Sequence, residues 1–205
     1  MQCRPVKTGC ATRRGKYKNL SEMVQEYIAL KRPEVMNEKR EIEQCSLERA
    51  IEMASMGEMS NGKRSHHHYR RSEKQLNAGK NALMAVYPQI RKCKNFEELH
   101  DLVKKITDRI DGLAELYTYD AAHIIGTRLG FDPEKVYLHT GTRTGAIALG
   151  FSGGLPYLEV SDLPAEIQVL RPYEIEDFLC IYAANLKSWA VARHRSTNGN
   201  GSQIS

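Results

Sequence analysis

Apolar residues recur along this chain at intervals of three and four, the spacing that lays one stripe on an α-helix, and no run alternates as a half-buried strand would. The first stripe is Leu20, Met23, Val24, Tyr27 and Ile28; Ser21 suits its N-cap and Pro33 its end. Leu47, Ala50, Ile51 and Ala54 repeat the pattern and predict a second helix from about Asn37 to Met56, stopped by Gly57. A third helix opens at Ser72, turns Leu76, Leu83 and Val86 inward, and is broken by Pro88. Asn95, with Glu98 three residues on, has the form of a capping box for a fourth, striped by Phe96, Leu99, Val103, Ile106 and Ile110. Beyond Gly112 a helix carries Ala121, Ala122, Ile124 and Ile125, and Asp132 with Pro133 starts a short helix from Glu134 to His139. In the C-terminal third, Leu155 to Val160 reads as a short extended piece and residues 165–170 as a small helix. Pro172 begins a longer helix with Tyr173, Ile175, Phe178, Leu179, Tyr182 and Leu186 as its apolar positions. The pattern predicts an all-α protein, a compact multi-helix domain over residues 20–192. Residues 193–205, rich in Ser, Gly and Asn, are expected to be a disordered tail.

Charge adds what periodicity cannot. The 205 residues are 41% hydrophobic, enough for a core, and the net charge of +5 is mild. Its distribution is uneven. Residues 1–19 hold Arg4, Lys7, Arg13, Arg14, Lys16 and Lys18 with no acid, and read as a flexible basic arm. Residues 62–80 hold Lys63, Arg64, Arg70, Arg71, Lys74 and Lys80 against the single Glu73. Such segregation builds a local positive field that attracts polyanions. Five scattered cysteines, Cys3, Cys10, Cys45, Cys93 and Cys180, suit reduced thiols in a cytoplasmic protein. No apolar run reaches membrane-spanning length and the first residues lack the apolar core of a secretion signal, so no membrane association is expected.

Several chemistries have no matching residues. No phosphate-binding Gly-Lys-Ser/Thr sequence, nucleophile elbow or set of spaced nuclease carboxylates is present. His66, His67 and His68 are adjacent, so their rings point in different directions, and no Cys or carboxylate stands nearby in sequence to complete a metal site. They read as part of a basic loop that contacts phosphate, with a purely structural loop and a zinc site as alternatives. No metal and no cofactor is expected.

Two glycine-bearing corners carry the functional reading. The first is Ile110-Asp111-Gly112-Leu113-Ala114 between two helical stretches, where glycine permits the positive φ of a sharp reversal. The second is Thr140-Gly141-Thr142-Arg143-Thr144-Gly145-Ala146, whose amides and guanidinium would suit an anion. Through Ile110, Gly112 and Leu113 the first corner resembles the helix-hairpin-helix family of nonspecific DNA-binding motifs, although Ala114 stands where the family has a second glycine. The second corner has Arg143 at that place. Together, over about residues 96–150, they resemble the tandem arrangement found in DNA-repair and recombination proteins. The plain alternative is a pair of helical corners whose glycines serve only the fold. A looser similarity links Tyr119 to Gly130 with the segment of base-excision DNA glycosylases that carries their catalytic aspartate; Asp120, His123 and Arg128-Leu129-Gly130 bear it, although Asp120 falls inside the helix and His123 one position late.

The helix-hairpin-helix resemblance implies a DNA-binding protein that does not read sequence and holds the phosphate backbone through Gly112, Thr140, Gly141, Thr142, Arg143, Thr144 and Gly145. The charge pattern adds Lys63, Arg64, His66, His68, Arg70 and Arg71 to the contact set. DNA rather than RNA is not decided by these residues. Two alternatives stand beside it: a glycosylase- or lyase-like DNA-repair enzyme, with Asp120 and His123 as catalytic candidates, and a helical protein–protein interaction domain.

Overall fold

Side-chain caps set where four of the helices begin, and they also shift some of the expected boundaries. The computed structural model describes residues 17–58 and 71–198, with side chains to residue 191; ten helices make it 67% helical, with one small two-stranded sheet among the described residues. α1 (Leu20–Leu30) is opened by Asn19, whose Oδ1 accepts from the Glu22 amide at 2.9 Å, so Ser21 lies inside the helix rather than capping it. Pro33 does not end α1; it occupies the first turn of α2 (Arg32–Gln44), where a missing N–H loses nothing. The helix expected over 37–56 is two, because Ser46 interrupts it. Its Oγ accepts from the Arg49 amide at 3.1 Å and starts α3 (Leu47–Met56), which Gly57 closes at φ 63°. α4 (Glu73–Ala85) begins on the reciprocal capping box of Ser72 and Gln75, and α5 (Tyr87–Ile90) is a single turn containing Pro88. α6 (Phe96–Thr107) starts at Asn95 as expected; the Glu98 carboxylate reaches the Lys94 amide at 3.0 Å instead of the cap's own amide. α7 (Glu115–Leu129) ends on Gly130 at φ 79°.

The chain divides into two compact units where one domain was expected. Among the described residues, one takes Pro33–Glu134 and is inserted into the sequence of the other, which takes residues 17–32 and resumes at Lys135. In the inserted unit α3 packs on α4 and α7, and α6 on α7. Ala50, Ile51, Leu76, Leu83, Ile90, Phe96, Leu99, Val103, Tyr117, Ala121 and Ile125 are all buried there. Each large member contributes about 1.5–3 kcal/mol by leaving water. The Tyr117 hydroxyl, deep in that core, donates to the Ser55 carbonyl at 3.2 Å and so has the partner that a buried phenol needs.

The second unit is built from α1, β1 (Val136–Tyr137), α8 (Thr140–Ala148), β2 (Tyr157–Leu158), a 3₁₀ turn (Val160–Asp162), α9 (Pro172–Ile181) and α10 (Ala183–Asn198). Its core joins Leu20, Met23, Val24 and Tyr27 of α1 to Val136, Leu138, Ile175, Phe178, Leu179, Tyr182 and Leu186. A buried charge is satisfied there: Arg32 donates to both oxygens of Glu174, at 2.6 and 2.9 Å. Residues 134–139 are not helical. Val136 faces Leu158 and Tyr137 faces Tyr157 in an antiparallel pair, with Val136 and Leu138 buried on alternate positions. The small helix expected over 165–170 is a run of turns, in which the Pro164 carbonyl accepts from the Ile167 and Gln168 amides. The long helix from Pro172 is divided at Tyr182, and α10 continues to Asn198, beyond the expected domain end at 192.

Candidate functional site

The first glycine corner forms as the sequence implies. Between α6 and α7 the chain reverses over residues 108–114, and Gly112 takes φ +86°, a conformation costly for any side chain. A Cβ at Gly112 would also collide with the Gln75 carboxamide. The Leu113 amide donates back to the Ile110 carbonyl at 3.1 Å while the Leu113 side chain is buried. Ala114 is extended, with φ −96° and ψ −179°, so alanine fits where the motif has its second glycine. With no polar side chain, Ala114 cannot cap α7 itself.

Two side chains hold the turn. Gln75 Nε2 donates to the Asp111 carbonyl at 2.9 Å, and Arg71 Nε donates to the Gly112 carbonyl at 3.2 Å. The Arg71 guanidinium carbon also lies 5.4 Å from the centre of the buried Tyr117 ring, a cation–π contact. Burial works against the Arg71 charge, and the nearby Asp120 carboxylate works for it. Arg71 ends the basic run that begins at Lys63. Lys63, Arg64, His66, His68 and Arg70 lie outside the described residues.

The second corner is not a turn. Thr140, Gly141, Thr142, Arg143, Thr144 and Gly145 are all inside α8. The Thr142 hydroxyl accepts from the His139 amide at 3.0 Å, and the Thr144 hydroxyl donates to the Thr140 carbonyl at 3.2 Å. A Cβ at Gly145 would fall on the Leu179 carbonyl of α9, and one at Gly141 would press on the Cys180 sulfur. Glycines four apart share a helix face, so here they let two helices approach backbone to backbone. Arg143 Nη1 donates to the Gly153 and Leu155 carbonyls, at 2.9 and 2.6 Å, tying the loop after α8 to its helix. Of the two corners, the first is a turn between helices and the second is the start of α8.

Asp120 and His123 lie one turn apart on α7. The His123 ring is half-buried, its Nε2 is closed to solvent, and it stacks on Tyr119 with centroids 5.7 Å apart. Burial, then the Lys39 charge, lower its pKa to about 4, so the ring is neutral near pH 7. Lys39 is itself buried and paired with Asp132. Asp120 is half-buried and favours the Arg71 charge; the Glu38 carboxyl is raised by burial, then by Glu41 and Asp120. Among the described residues, no group of three or more His, Cys, Asp or Glu is arranged to hold a metal ion.

Gln75 and Tyr117 went unread in the sequence. Ser72-x-x-Gln75 does carry the capping-box signature, but the Gln75 bond to Asp111 spans 36 residues and leaves no local trace. No protein-family model, curated protein or solved structure matches the chain.

Proposed function

We propose that the inserted unit binds the phosphate backbone of duplex nucleic acid, DNA in the first instance, without reading its sequence. The observation that carries this reading is the Arg71 bond to the Gly112 carbonyl: the last cation of the basic run is held against the hairpin turn. A phosphate resting at the start of α7 would meet that guanidinium and first-turn amides together, the combination that favours anions at helix N-termini. Asp111 and Glu115 flank the same turn and repel a phosphate, so the cations must supply most of the attraction and the affinity must be strongly salt-dependent.

Fluorescence anisotropy with unrelated duplexes at several salt concentrations tests this. Arg71→Ala should weaken binding about tenfold on every sequence and flatten the salt slope by about one. Lys63→Gln with Arg64→Gln should act in the same direction. Absence of binding at low salt, or marked preference for one sequence, would defeat the proposal.

A further inference from the structure

The carboxamide of Gln75 both accepts and donates. Its Oε1 accepts from the Ser72 amide at 2.9 Å and from the Ser72 hydroxyl at 3.0 Å, which fixes the start of α4. Its Nε2 donates to the Asp111 carbonyl at 2.9 Å. The residue just before Ser72 is Arg71, which binds the next carbonyl, that of Gly112. Adjacent residues at the end of the basic run are thus fastened to adjacent carbonyls of the turn, one directly and one through Gln75. The amide has only one orientation that serves both sides, because a backbone N–H needs the oxygen and a carbonyl needs the nitrogen. A glutamate would cap α4 equally well but has no donor for Asp111. The bare Cα of Gly112 leaves the room the carboxamide occupies.

We infer that Gln75 is a positioning residue for nucleic-acid contact at this corner. It sets where Arg71 stands relative to the hairpin without itself touching the strand. The inference rests on the proposed function, and two readouts separate the failures of the two.

The full chain carries the test, as wild type, Gln75→Met and Ser72→Ala. Methionine is neutral and of similar length but loses every carboxamide bond; Ser72→Ala loses the cap hydroxyl and keeps the carboxamide. Amide hydrogen exchange over residues 111–113 reports the turn, and anisotropy with a duplex reports binding. Gln75→Met should speed exchange there and weaken binding, each about fivefold, the size of one lost hydrogen bond. Ser72→Ala should lower the melting temperature while leaving both readouts near wild type. If Ser72→Ala reproduces Gln75→Met, or Gln75→Met binds and exchanges like wild type, Gln75 has no positioning role. If the wild type does not bind duplex, the function falls and the role falls with it, whatever the exchange shows. Should Gln75→Met fail to fold, Gln75→Glu keeps the cap, removes the donor and adds a negative charge, so hydrogen exchange and not duplex affinity is read from it. Its exchange over 111–113 then decides, and an unchanged rate overturns the inference.

Discussion

Arg71 and Arg143 both sit beside glycines, and the structure gives them different work. Arg71 reaches a turn carbonyl in front of a helix start, whereas Arg143 closes a loop onto its own helix. Residue type does not distinguish them; the path of the chain around each does. The same holds for His123. Its place in the sequence made it a catalytic candidate, while in the fold its Nε2 is shielded and its pKa falls from 6.5 to about 4. The unfolded chain therefore binds a proton between those values that the folded chain refuses. Stability should fall as the pH drops from about 6.5 to about 4, by ~3 kcal/mol at most and by less to the extent that the ring edge remains exposed. Denaturant midpoints at pH 7, 6, 5 and 4 would measure this, and His123→Gln should flatten the acid limb; a parallel fall in the variant would assign the loss to other groups.

At the scale of elements, several local signals were sound, although Asn19 and not Ser21 caps α1. Ser72 and Asn95 begin helices and Gly57 ends one, as their side chains or their lack of one demand. The failures lie where one residue type serves two structures. Glycine breaks a helix at a corner but also lets helices touch, and Gly141 with Gly145 proved to be the second kind. Gly145→Ala should then destabilise the second unit by about 1–3 kcal/mol, since the new methyl meets backbone that cannot rotate away. Thermal unfolding would show it, and duplex affinity should not change. Residues 136–137 were misread because a two-residue strand exists only through its partner, Tyr157 and Leu158. The first hairpin was legible because its needs are local: an apolar anchor at Leu113, positive φ at Gly112 and helices on either side.

For the whole molecule, the division into two units was beyond the sequence. A hydrophobic stripe says that a face is buried, not against what, and α1 shares a core with residues more than a hundred positions away. The inserted unit has its own core and holds the corner at Gly112 with Arg71, Asp120 and His123. A fragment of residues 33–134 should therefore fold by itself, unfold in one cooperative transition, and retain the duplex affinity of the full chain. Circular dichroism melts and anisotropy on the fragment would check both parts; a fragment that folds but does not bind would move the binding surface elsewhere.

The sequence by itself determined the all-helical character, most of the helices, and the hairpin at Gly112, because capping, helical periodicity and glycine's left-handed freedom act over a few residues. Only the tertiary structure decided that Gly141 and Gly145 belong to a helix contact, that Arg143 serves a loop, that Gln75 clamps the turn, and that one unit is inserted in another. Those outcomes depend on which distant groups come together, and no short stretch of chain carries that information.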